Sequence, residues 1–225
     1  MDERISVAIA NNIALYETVF RAHGLRFERR KRAWLAIDPA PAYYSDAITL
    51  TADMTSAEIL DQFAEHPRAG VKDSFATLDL TPGGFRELFS ASWIHHPAPD
   101  RIAARLLAWA PVCSPAAMAE YRRLHGTADS LVDGLLVDPD VTLFLGETAG
   151  IVQAGALLNR SGTDIGVSNV FVRDAEPAEI WADLLSLAAG LSPGRPLVGY
   201  ESGADLEAAL MAGFSARGPL RVWVK

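Results

Sequence analysis

The chain has 225 residues, half of them hydrophobic and 21% charged, enough for one large domain or two small ones around an apolar core. A net charge of -8 and a pI of about 5.1 exclude polyanion binding through a general positive field, so nucleic acid is not an expected partner. Cys113, the single cysteine, excludes an internal disulfide and a cysteine-based zinc cluster.

No segment approaches the ~20 apolar residues that span a bilayer. The acidic N-terminus, with "ISVAIANNIAL" interrupted by Asn11 and Asn12, does not resemble a signal peptide. A cytoplasmic protein without membrane contact is expected.

In chain order, Ile9, Ile13, Tyr16 and Phe20 recur at helical spacing and Gly24 supplies a stop, which predicts a helix over residues 5–24. The basic run "RFERRKR" alternates with apolar residues and reads as the wet face of a strand or loop. "RAWLAID" and "YYSDAITLT" read as strands, "TSAEILDQFAEH" as a helix capped by Thr55 or Ser56, and "VKDSFATLDL" as a strand. "FRELFSAS" reads as a short helix and "HHPAPD", His95 to Asp100, as a linker.

Beyond it, helical patterns cover Ile102–Trp109 and Pro115–His125, the second opened by the Ser114 cap and a proline at the first helical position. "VTLFLGE", "IVQAGALLNRS" and "DIGVSNVFVR" read as strands. "PAEIWADLLSLAAGL" is an amphipathic helix, "PLVGYE" a strand, Ser202 to Asp205 a capping-box-like start, Gly213 a helix stop and "PLRVWVK" the last strand.

Strand, helix, strand and helix follow one another in both halves, and Ala-Glu-Ile recurs at Ala57–Ile59 and Ala178–Ile180. This order reads as an internal duplication, with a first half at 1–96 and a second at 101–225.

The tail "PLVGYESGADLEAALMAGFSARGPLRVWV" carries a resemblance. Strand, capped helix, Gly213-Phe214 and closing strand are similar to the GNAT superfamily, the acyl-CoA-dependent N-acyltransferases, over roughly residues 115–225. The first half resembles a more degenerate copy. The resemblance implies an α+β fold of two GNAT-like halves, each a mixed, mostly antiparallel sheet flanked by helices. It also implies an acyl-CoA co-substrate along Phe171, Val172 and Arg173, and a small-molecule amine as acceptor.

Two family features are missing. The glycine-rich pyrophosphate cradle falls on Glu176-Pro177-Ala178-Glu179-Ile180-Trp181, which has no glycine, places two carboxylates at the anion's position and lacks the Pro177 N–H. The tyrosine that would protonate the leaving thiolate falls on Ala209.

Other residues can carry chemistry. Glu201 ends a parallel-type strand, where ligands sit in such sheets, and reads as a base for the amine or as a solvated strand end. Tyr200 beside it is a remote acid candidate. Ser168 and Asn169 interrupt an apolar strand and read as substrate contacts or as partners in structural hydrogen bonds. Lys72 and Asp73 read as an edge ion pair or as part of a site between halves.

His125 reads as a partner of its helix's C-terminal dipole. His95-His96 lacks further ligands, and no metal site is expected. The leading expectation is an N-acyltransferase acting on an amine. The alternative is a GNAT-like protein that binds a small ligand or a protein between its halves without transfer. The sequence assigns no oligomeric state.

Overall fold

The computed structural model describes residues 3–99 and 105–225. Helix α1 (Glu3–Ala22) comes first, followed by β1 (Phe27–Arg29), β2 (Ala33–Ala36) and β3 (Ala47–Thr49). Helix α2 (Ser56–Gln62), β4 (Gly70–Asp73) and β5 (Arg86–His96) complete the first half. The second half holds β6 (Ala108–Pro111), α3 (Pro115–His125), β7 (Val141–Thr148), β8 (Ile151–Ser161) and β9 (Asp164–Val172). It closes with α4 (Pro177–Leu191), β10 (Leu197–Glu201), α5 (Gly203–Met211) and β11 (Ser215–Val224).

Among the described residues these strands form one 11-stranded sheet, ordered β1-β2-β3-β4-β11-β5-β10-β9-β8-β7-β6. Two parallel pairs, β3–β4 and β9–β10, interrupt an otherwise antiparallel ladder. Each is joined by a helix, α2 or α4, as a parallel crossover requires.

The centre of the sheet is an exchange. Strand β5 follows β4 in the chain but lies between β11 and β10. Strand β11 follows β10 but lies between β4 and β5. Each half therefore completes the other's sheet, which gives the α+β architecture of two interlocked halves.

Side chains alternate across the sheet and build cores on both faces. On one face α1 places Ile9, Ile13, Tyr16 and Phe20 against Trp34, Trp93, Val198 and Val222. On the other, α4 places Trp181, Leu184 and Ala188 against Ile94, Ile165 and Leu197. A buried amide pair fastens α1 across β8: Asn159 Nδ2 donates to Asn11 Oδ1 at 3.0 Å. Gly166 leaves room for it, because a Cβ there would stand 2.1 Å from Asn11 Oδ1.

Several elements differ from the sequence reading. "FRELFSAS" is strand from Arg86 onward, not helix: β5 lies between two neighbours, and long-range pairing outweighs a local pattern with helix formers. His95 and His96 belong to this strand and are not linker, whereas Asp100 lies outside the described residues. The helix expected at Ile102–Trp109 lies partly outside them, and Ala108–Pro111 is a strand on β7.

Lys72 and Asp73 form no edge ion pair, since β4 is flanked by β3 and β11 and the two side chains face opposite ways. The Asp73 carboxylate accepts from Phe75 N at 3.2 Å and Leu78 N at 2.8 Å. The "RFERRKR" arginines lie on or beside β1 and meet acids: Arg26 with Asp38, Arg30 with Glu28, and Arg32 with Glu58. No described helix is long and apolar enough to cross a membrane.

Candidate functional site

The site begins where β9 and β10 part. Their parallel pairing comprises Leu197 with Ile165 and Val198 with Gly166. Gly199 then lies so close to β9 that a Cβ would stand 2.6 Å from the Val167 carbonyl oxygen. On β9 a bulge opposite β8 displaces the chain between Ser168 and Phe171, and Asn169 takes a left-handed φ of 51°. Beyond these points the backbones are no longer paired and a gap opens in the sheet.

A chamber of about 280 Å³ occupies that gap, with Ser168 and Asn169 on one side and Tyr200 and Glu201 on the other. Tyr16 and Asn12 of α1, Tyr44, and His125 at the end of α3 complete its wall. A second chamber of about 340 Å³, lined by Lys72, Phe89 and Val222, shares Tyr16, Tyr43, Tyr44 and Tyr200 with the first. The two flank a common cluster of tyrosines.

Glu201 is half-buried at the end of β10. Burial pushes its carboxyl up to about 8, and the nearby charge of Asp205 adds to the effect. Such a group holds a proton at neutral pH and releases it slightly above. Tyr200 packs edge-on to Trp93, with ring centres 5.6 Å apart. Its hydroxyl is pushed up by burial, against an opposing pull from Lys72.

Lys72 is only 1% exposed. Its Nζ stands 4.2 Å from the Tyr200 ring centre and 4.6 Å from that of Tyr16, and donates to Asn12 Oδ1 at 3.0 Å. Burial alone would lower its pKa, but the contacts with Tyr16 and Tyr200 outweigh that and the net shift is upward. Among the described residues no carboxylate forms an ion pair with it.

The remaining sequence candidates divide. Ser168 and Asn169 both line the chamber and also bond each other, Asn169 Nδ2 donating to Ser168 Oγ at 3.0 Å. Phe171 turns away onto Tyr121 and His125, Val172 packs beside the α4 core, and exposed Arg173 donates to the Val152 carbonyl. None of these three lines the chamber. His125 lies in the last turn of α3 as expected, where burial lowers its pKa and its ring stacks on Tyr121.

At the start of α4, exposed Glu176 is the N-cap residue without a side-chain capping bond, Pro177 follows it, and Glu179 lies in the first turn. These residues do not fit a diphosphate, because two like charges and a missing N–H stand where an anion would need donors.

Sequence reading missed Asn12, Tyr16 and Tyr44. The available signal was the amide pair Asn11-Asn12 within an apolar helix, since buried amides need partners.

No family model matches the chain, and no curated protein matches its sequence. Solved structures do. A conserved protein of unknown function from Staphylococcus epidermidis superposes with a TM-score of 0.66 at 11% identity, covering 89% of this chain and 94% of its own. A GCN5-related N-acetyltransferase from Kribbella flavida gives 0.66 at 14% identity, covering 97% and 96%. Saccharomyces cerevisiae N-myristoyltransferase, solved with bound myristoyl-CoA, gives 0.50 at 8% identity, covering 70% and 53%. The fold is therefore GNAT-like, the class the closing strands resembled.

Proposed function

We propose that the protein is an N-acyltransferase that moves an acyl group from a thioester, acyl-CoA in the family's usual chemistry, to a small amine. The observation that carries this reading is the gap between β9 and β10, which gathers Glu201, Tyr200, Ser168 and Asn169 around one chamber inside a GNAT-like fold. Attack by the amine forms a C–N bond and breaks the C–S bond. Glu201, once deprotonated, accepts the amine proton, and Tyr200 donates one to the departing sulfur. Ser168 and Asn169 offer side-chain hydrogen bonds to the acceptor. Holding the reactants in this walled space supplies the rest of the rate.

The acidic start of α4 favours a second reading, in which the same chamber binds a small ligand without transfer. The two are separated by incubating the protein with acetyl-CoA and a panel of amines while following release of free thiol. Thiol release that falls about a hundredfold in Glu201→Gln supports transfer. No release from any amine, with no rise in melting temperature at millimolar acetyl-CoA, overturns it in favour of the second reading.

A further inference from the structure

We propose that the tyrosine-walled chambers recognise a carboxylate, with Lys72 as its counter-ion, so that the acceptor is an amine bearing one carboxylate, as an amino acid does. The amine half of this statement rests on the acyltransferase reading; the carboxylate half does not.

A lysine that is 1% exposed is costly unless its charge is compensated. The protein offers Lys72 the Asn12 amide oxygen and the rings and hydroxyls of Tyr16 and Tyr200, and among the described residues no carboxylate pairs with it. The contacts with Tyr16 and Tyr200 outweigh the desolvation and favour the charged ammonium, but they bring no carboxylate to it. Lys72 is also one of the residues that line the second chamber.

The combined linings have a simple charge pattern. Lys72 is their one lysine or arginine and Glu201 their one carboxyl, with the Tyr16, Tyr44 and Tyr200 cluster between. A ligand with one anionic and one amino group matches both ends. A phosphate dianion would find a single cation. The apolar part of the wall, Leu88, Phe89, Val222 and Val224, suits a hydrocarbon or aromatic side chain.

The test uses intact protein without any acyl donor. Calorimetric titration compares alanine, leucine, phenylalanine and tyrosine with their amides, and includes 3-phenylpropionate, which keeps the carboxylate and lacks the amine. At least one amino acid should bind about tenfold or more tightly than its amide, and Lys72→Met should abolish the difference. Equal binding of acid and amide by the unaltered protein overturns the proposal without relying on any variant's folding. So does the absence of binding by every acid at millimolar concentration, or a preference that survives in folded Lys72→Met.

Thiol release keeps the two readings apart. Acid binding through Lys72 without transfer would remove the acyltransferase reading alone. Transfer to amines regardless of a carboxylate would remove the carboxylate alone.

Discussion

Lys72 and Tyr200 come from opposite halves of the chain, yet the Lys72 ammonium lies 4.2 Å from the centre of the Tyr200 ring. Their strands are not neighbours: β11 and β5 stand between β4 and β10. The contact therefore reports on the whole central sheet. Replacing Lys72 by Met keeps most of the stem volume and removes two cation–π contacts and the Asn12 hydrogen bond. A loss of about 1–2 kcal/mol is expected, and Lys72→Ala, which also leaves a cavity, should lose about 2–5 kcal/mol. Urea titration measures both. A Met variant as stable as the parent would show that the ammonium contributes nothing to the fold.

Glu201 makes stability and activity respond oppositely to pH. Its carboxyl titrates from a reference of 4.5 when unfolded and at about 8 when folded. The folded state thus binds the proton more tightly. Its stabilising contribution is complete below pH 4.5 and is lost as pH rises through 8. In Glu201→Gln, which stays neutral, that decline should disappear, so melting temperatures of parent and variant diverge progressively over this range. A constant difference across it would contradict the desolvated carboxyl. Transfer activity should rise over the same window, since only the deprotonated form accepts a proton.

Gly199 keeps the gap in place. A Cβ there meets a carbonyl oxygen of β9 at 2.6 Å, and backbone cannot swing aside as a side chain can. Gly199→Ala should cost about 1–3 kcal/mol and displace the start of the gap, weakening any ligand bound by Ser168 and Glu201. Denaturant titration paired with ligand titration checks this. An unchanged midpoint with unchanged binding would refute the tight approach.

Asp183 is a buried carboxylate with a structural task. It accepts from Leu106 N at 2.6 Å, Leu107 N at 3.0 Å and Trp109 Nε1 at 2.6 Å, fastening the segment that leads into β6 to α4. Asp183→Ala leaves buried N–H groups without an acceptor and should cost on the order of 3 kcal/mol. Differential scanning calorimetry would show it, and a variant melting with the parent would mean water replaces the carboxylate.

How far the sequence reveals this molecule depends on whether local chemistry or distant partners decide each element. Helices α3 and α4 match their expected spans because caps and prolines mark their starts, Ser114-Pro115 in one and Pro177 in the other. Strands β3 and β4 are shorter than expected because nearby carboxylates take backbone donors. Asp46 accepts from Ala40 N and Gly70 N, and Asp73 turns the chain after β4.

Strand β5 was illegible, since its partners lie far along the chain. The site divides in the same way. Tyr200 and Glu201 stand out at a strand end, and Lys72 was open to two readings. Asn12, Tyr16 and Tyr44 reach the chamber only through the packing of α1, which no local pattern encodes.

The exchange of β5 and β11 also has a consequence in time. During synthesis β4 gains its second neighbour only after residues 215–224 have been made, and β5 lacks both of its partners until the second half exists. The first half must leave the ribosome with open strand edges, a state that invites pairing with other chains. Closure of the sheet is then a late, long-range event, and such topologies fold slowly.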